Sequence, residues 1–298
     1  MKKNFVLALI YLLPIVGNTQ EISITDFNNF LNMRDSVMAC PDSIKQVAFV
    51  HRLYIDKASE GLQAFMRNKD GLDLIWRKLI LDTPSFWDSI ANRRVLILRA
   101  SKLLESNIHH LYSLYPSAKP AKTFYLVGIR QQGGTIRGSV SLVGTEVVCA
   151  APGVTEKSLV RMGMHEFIHT QQVRPDFQKI DVLTSSIREG ACDFIATLVT
   201  GIPVDEPYTR YGRKHELEVW QSFQKEMYSS SNDNWVSTGN NPLLPAPDLG
   251  YFIGYRICEA YYKKATDKRR ALADIIELDY SKKDVVSKFL MTSAYDGK

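Results

Sequence analysis

The chain has 298 residues, of which 45% are hydrophobic and 23% are charged. This composition lies in the globular range and allows a substantial core to form without metal or disulfide staples, so disorder is excluded as the default state. The formal net charge is +5, and the basic residues are dispersed apart from one tight group at residues 268–270. The solvated start of a helix accounts for that group, and no nucleic-acid partner is expected.

The first twenty residues have the layout of a secretory signal peptide. Lys2 and Lys3 form a basic region, residues 5–16 an apolar run, and residues 17–20 a small or polar end. The run is shorter than the roughly 20 apolar residues of a membrane span. We therefore expect residues 1–19 to be removed, leaving a secreted or periplasmic chain without a stable membrane span and, without the two lysines, of net charge +3. An uncleaved anchor extended by the flanking residues is the alternative.

Four cysteines are spread along the chain without a C-x-x-C pair or another metal-ligand spacing: Cys40, Cys149, Cys192 and Cys258. In an oxidising compartment, three different pairings would connect all four. The alternative is that they are free buried thiols, and their spacing does not choose between these states. None of them closely follows the apolar run, as a lipid-anchored cysteine would.

The predicted elements change character along the chain. Helical spacing of apolar residues dominates the first part, which we interpret as a helical N-terminal portion covering residues 20–120. Short runs rich in β-forming residues follow at residues 123–129 and 135–149, separated by a segment that contains Gly133 and Gly134. These runs predict a small antiparallel sheet.

Helical patterns return after the sheet. One helix is predicted over residues 155–172, and a second from residue 185 or 186 to residue 200. Residues 229–247 are rich in Ser, Asn, Gly and Pro and predict a long loop, after which helical spacing resumes. Because there is no internal repeat and no interior linker, residues 121–298 are interpreted as a catalytic portion that forms one folding unit with the N-terminal portion.

The motif that carries chemistry is His165-Glu166-Phe167-Ile168-His169, which reads H-E-x-x-H. On a helix, residues i and i+4 share one face, so both imidazoles can reach a single zinc ion. Glu166 then lies beside the first ligand, where its carboxylate can deprotonate a water whose pKa zinc lowers towards 7. The alternative is an exposed helix face that carries these residue types by chance.

A catalytic zinc site needs a third protein ligand, and the segment from Glu189 to Asp193 follows at a suggestive distance. Here the chain resembles the gluzincin metallopeptidases, in which a glutamate on a following helix completes the site and an aspartate four residues later bonds a ligand histidine. The resemblance implies that Glu189 is the third zinc ligand and that Asp193 orients His165. The alternative is that Ser186 and Glu189 form an S-x-x-E capping box for their own helix.

A closer resemblance is to a poorly characterised group of bacterial zinc-dependent proteases related to gliding-motility lipoproteins. The shared features are Gly133-Gly134, the H-E-x-x-H motif, the segment 189–194 and the segment 250–255, which reads Gly-Tyr-Phe-Ile-Gly-Tyr. This chain lacks the lipid-attachment cysteine of the lipoproteins. The resemblance implies a zincin-like α+β fold, mostly helical, whose small sheet lies beside the H-E-x-x-H helix and pairs with an extended peptide substrate.

A peptidase also needs a hydrogen-bond donor for the oxyanion that develops on the attacked carbonyl. Tyr251, Tyr255 and His215 are the candidates, and Tyr251 is our choice for the catalytic set together with Glu166. Each of the three could instead be an ordinary core or surface residue.

The sequence therefore predicts a zinc-dependent hydrolase of peptide bonds that acts on a peptide or protein substrate. One competing hypothesis is a cell-envelope interaction protein that keeps the zincin frame without turnover. An intact Glu166 is evidence against it, because structural zinc sites need no base and usually complete the fourth position with Cys or His. A chance H-E-x-x-H motif in a helical scaffold is the third hypothesis.

Overall fold

The computed structural model describes residues 22–66, 71–239 and 241–298. The predicted signal peptide, residues 1–19, lies outside this part of the chain. Among the described residues, no helix has both the length and the apolar character needed to cross a membrane. All four cysteines are described and are free thiols, and Cys40 alone among them is partly exposed.

Several short helices and one long helix build the N-terminal half. They are α1 (Thr25–Ala39), α2 (Ser43–Val50), a π-helical turn (His51–Ile55), α3 (Glu60–Phe65), α4 (Leu72–Asp82), α5 (Pro84–Ala91) and α6 (Arg94–Leu114). In α6 the buried positions Ile97, Leu104, Ile108 and Leu111 recur every three to four residues or at multiples of that spacing, which gives the helix one apolar face. This half is helical, as its periodicity predicts.

The chain also forms a four-stranded sheet. Its strands are β1 (Ile22–Ser23), which precedes α1, and β2 (Lys122–Leu126), β3 (Gly134–Arg137) and β4 (Val140–Gly144), which follow α6. Its strand order is β1-β2-β4-β3, so β3 lies at an edge. Only β3 and β4 pair antiparallel, whereas β2 pairs parallel with both β1 and β4. The prediction of an antiparallel sheet is therefore wrong for the central pair. Between β2 and β4 the chain forms the edge strand β3. This connection is the crossover that the parallel pair of β2 and β4 requires.

The second half is again helical, and one hydrophobic cluster extends from Phe27 to Tyr295. Its helices are α7 (Thr145–Val148), α8 (Glu156–His169), α9 (Val182–Thr200), α10 (Pro207–Lys214), α11 (Glu216–Glu226), α12 (Leu249–Lys264), α13 (Lys268–Ile276) and α14 (Lys283–Ser293). The described chain is thus mostly helical with a small mixed sheet, which is compatible with the predicted α+β class.

Helices α8 and α9 begin and end at clear local signals. Thr155 and Ser158 form a capping box at the start of α8. The side chain of Asp181 caps α9 by accepting from the backbone of Thr184, and Gly201, with φ of 68°, ends the helix in the left-handed conformation. Helix α8 stops at His169, three residues before the predicted end.

Helices α9 and α12 cross in close backbone contact. A Cβ atom on Gly190 of α9 would lie 2.1 Å from the backbone nitrogen of Tyr255, and one on Gly254 of α12 would lie 1.8 Å from the carbonyl oxygen of Ser186. Real Cβ contacts are never this short, so only glycine fits at both positions. The crossing brings the middle of α9 and the start of α12 to the same place as the H-E-x-x-H helix.

Candidate metal centre

His165 and His169 lie one turn apart on α8, and both are buried. Their ring centroids are 4.8 Å apart and the two ring planes are nearly perpendicular. Phe167 and Ile168 of α8 are fully buried and anchor the helix in the core. The two imidazoles are therefore held on one face, as the i and i+4 spacing predicts.

Glu189, on α9, meets both histidines. Its Oε2 atom lies 3.3 Å from His165 Nε2 and 2.9 Å from His169 Nε2. Ligand atoms around a tetrahedral zinc ion are separated by about 3.3 Å, given bonds of about 2.0–2.1 Å. Both nitrogen-to-oxygen distances thus suit ligands of one small cation, and this donor set of two imidazoles and a carboxylate is one that zinc accepts.

The alternative role of Glu189 as a helix cap is wrong. Helix α9 begins at Val182 and is capped by Asp181, so Ser186 lies inside the helix rather than at its N-cap. The hydroxyl of Ser186 has no hydrogen-bond partner among the residues that the structure describes. The second carboxylate oxygen of Glu189 instead accepts from Arg188 Nη1 at 2.7 Å, which leaves Oε2 to face the histidines.

Cys192 offers a second possible donor, which the spacing of the cysteines does not predict. His165, His169 and Cys192 form a buried group that can hold a metal ion, with ligand atoms within 4.8 Å of one another. The sulfur of Cys192 lies 3.2 Å from His169 Nδ1, on the opposite side of the ring from Glu189. Burial raises the pKa of this thiol well above its usual value.

Asp193 lies next to His165, with Oδ1 at 2.9 Å from Nδ1. Its carboxylate also accepts from Tyr208 at 2.7 Å and is paired with the buried Arg161 at 3.5 Å. Burial alone would raise the pKa of Asp193, but the hydrogen bond to His165 and the charge of Arg161 outweigh burial and lower it. Likewise, burial would lower the pKa of His165, but hydrogen bonds to Asp193 and Glu189 raise it to about 10. The sequence pattern predicts that Asp193 orients His165, but it does not predict the partners Arg161 and Tyr208.

His169 has its own hydrogen-bond partner, which the sequence pattern does not predict. Gln172 Oε1 lies 2.8 Å from His169 Nδ1, so the two histidines are oriented by different side chains. Residue 172 falls within the helix predicted from periodicity, and nothing in the local pattern distinguishes it from its neighbour Gln171.

Glu166 is buried and faces the edge strand of the sheet. A Cβ atom on Gly134 of β3 would lie 2.3 Å from Glu166 Oε1, so glycine is what allows the strand to approach this carboxylate. Burial raises the pKa of Glu166, and the neighbouring His165 and His169 oppose that rise. Of the carboxylates predicted for the site, this one lies against the sheet.

The three candidate oxyanion donors are placed differently. The Tyr251 ring stacks on the His165 ring with centroids 6.2 Å apart, which puts it at the metal centre. Tyr255 packs against Phe194 instead. His215 stacks on Tyr211 and contacts the exposed Glu218 at 3.2 Å. Of the three, the structure brings only Tyr251 next to the histidines.

No protein-family model, curated protein or solved structure matches this chain. The resemblance to gluzincins and to the bacterial protease group therefore stays a prediction, and the case for function depends on the site itself.

Proposed function

We propose that the protein is a zinc-dependent peptidase in which His165, His169 and Glu189 hold the metal. The observation that carries this proposal is the meeting of both histidine Nε2 atoms at one Glu189 oxygen in a buried site. The predicted signal peptide motivates a secreted or periplasmic location. The substrate is then a peptide or protein outside the cytoplasm.

Zinc is the metal that best suits two imidazoles and one carboxylate with a position left for water or substrate. When bound, zinc would acidify a water molecule and polarise the carbonyl that is attacked. Glu166 would take the proton of that water onto its carboxylate and pass it to the leaving amine. The carboxylate of Glu166 extends from α8 towards β3, and this supports the role, because the base then lies where the sheet can present a substrate.

Edge strand β3 would bind the substrate as an added strand, because its outer side does not pair with another described strand. Gly134 on that edge lies next to the base, since a Cβ atom there would lie 2.3 Å from Glu166 Oε1. Tyr251 would donate its phenol hydrogen to the developing oxyanion. Burial raises the pKa of Tyr251 well above its usual value, so the phenol keeps the proton that this role needs.

The direct test is the zinc content of the purified protein. We expect close to one zinc per chain, and His169→Ala should lose the metal because it removes one of three ligands. His215→Ala is the matched control, since this partly exposed histidine stacks on Tyr211 and contacts the exposed Glu218, and its loss should leave the zinc content unchanged. Full zinc retention in His169→Ala would overturn the assignment, and so would a parent protein with no affinity for zinc.

Asp193→Ala tests the partner of the first histidine. Because Asp193 orients His165 without contacting the metal, its loss should weaken zinc affinity by roughly 10 to 100-fold. The affinity is measured by competition with a chelator of known strength. Asp205→Ala, which removes an exposed carboxylate paired only with Arg210, serves as the control. Equal affinities in the two variants would mean that Asp193 is only a structural residue of α9.

A further inference from the structure

Gln172 links the metal centre to a distant part of the chain. Its Oε1 atom contacts His169 Nδ1 at 2.8 Å, and its Nε2 atom contacts the carbonyl oxygen of Arg188 at 2.9 Å and Tyr280 Oη at 3.2 Å. Tyr280 Oη in turn lies 3.3 Å from the carbonyl oxygen of Ile275. Gln172 is almost fully buried and Tyr280 is completely so.

The carbonyl oxygens at the ends of this series of hydrogen bonds determine which group donates in each bond. A backbone carbonyl can only accept, so the hydroxyl of Tyr280 donates to Ile275 and the amino group of Gln172 donates to Arg188. The amide oxygen of Gln172 must then face His169. Because that oxygen also only accepts, His169 Nδ1 must carry the hydrogen.

This direction decides which nitrogen of His169 is available to a metal. With a proton on Nδ1, only the lone pair of Nε2 is free, and Nε2 faces Glu189 at 2.9 Å. Cys192 contacts Nδ1, the nitrogen that is already occupied. A site that used Nδ1 together with Cys192 would have to break the bond between His169 and Gln172.

We propose that Gln172 and Tyr280 are positioning residues that keep Nδ1 of His169 protonated and thereby make Glu189, not Cys192, the third metal ligand. This inference rests on the proposed zinc site. The two histidines are thus held by different means, His165 by the ionised Asp193 and His169 by a neutral amide. The neutral partner fixes the ring without adding a further buried negative charge beside Glu166 and Glu189.

The first test compares variants of the two neighbouring glutamines. Gln172→Leu should lower zinc affinity by roughly 10 to 100-fold, the effect expected when a partner of a ligand histidine is lost. Gln172→Glu keeps an acceptor for Nδ1 but loses the donor to Arg188 and adds a buried charge, so its affinity should lie between those of Gln172→Leu and the parent. Gln171→Leu is the matched control, because this equally buried glutamine bonds the backbone of Lys119 and should leave the affinity unchanged.

Three further measurements cover the case in which Gln172→Leu does not fold. Tyr280→Phe removes one hydroxyl and keeps the ring, and it should weaken zinc binding by a smaller factor than Gln172→Leu. Cys192→Ser should keep the parent affinity. Cobalt bound in place of zinc should show no thiolate charge-transfer absorption in the parent.

Nitrogen NMR of the histidine rings separates failure of this inference from failure of the proposed function. In zinc-loaded protein, His169 should show a protonated Nδ1 and a metal-bound Nε2. A parent without zinc affinity would overturn the proposed function, while a metal-free His169 with a bare Nδ1 would overturn the inference. Zinc-loaded protein with metal on Nδ1, a thiolate absorption with cobalt, or loss of zinc in Cys192→Ser would overturn the inference alone.

Discussion

Glu166→Gln is expected to keep the zinc content and thermal stability of the parent and to lower turnover by at least about 100-fold, the usual scale for a lost general base. Glutamine has the same shape as glutamate and fits the same space beside Gly134. It contacts no metal in the proposed mechanism, so the site should still fill. What it loses is the ability to accept a proton from water.

The measurement pairs zinc occupancy with hydrolysis of casein or of a mixed peptide library. Glu189→Gln is the informative companion, because it removes a charged ligand and should reduce metal and activity together. A zinc-loaded parent that hydrolyses nothing across a broad panel would favour an interaction protein without turnover. The same conclusion would follow if Glu166→Gln were as active as the parent.

Gly254→Ala is expected to cause the largest loss of stability. Its Cβ atom would lie 1.8 Å from the carbonyl oxygen of Ser186, and backbone atoms cannot move aside as a flexible side chain can. The cost should reach the upper end of that for overpacked sites, about 3 kcal/mol. The midpoint of thermal unfolding should fall by roughly 5 °C or more. Zinc affinity should fall as well, because α9 carries Glu189 and Asp193.

Gly133→Ala is the control for this variant. A Cβ atom there meets its nearest neighbour at 3.5 Å, an ordinary contact. The free energy of unfolding should stay the same or rise slightly, since alanine restricts the unfolded chain more than glycine does. If Gly254→Ala were as stable as Gly133→Ala, the two helices could separate without cost, and the close crossing would not be what holds α9 in place.

Local signals were enough to predict the helices that carry the site. The H-E-x-x-H spacing places both histidines on one face, and the structure has them there. The predicted start of α9 lies several residues too late in the chain. Ser186 is of a residue type common at N-caps, whereas Asp181 is the N-cap of the helix. Gly190, a residue type that is costly in a helix, allows the backbone of α12 to approach α9 closely.

Contacts between distant segments were not predictable in the same way. The direction in which β2 and β4 pair depends on the path of the chain through β3, and strand composition carries no record of that path. Tyr208, which bonds Asp193, and Gln172, which bonds His169, both lie outside the motif. Periodicity identifies which face of a helix is buried. It does not identify which residue of a distant segment forms a hydrogen bond with a polar side chain on that face.

The order of these segments along the chain has a consequence for biosynthesis. All three proposed ligands leave the ribosome before α12 and Tyr280, yet α12 holds α9 in place and Tyr280 completes the hydrogen bonds behind His169. A nascent chain ending near residue 200 would therefore contain every ligand without the support that fixes their spacing. In the proposed site, zinc binding at full affinity would then require that the C-terminal helices have been synthesised.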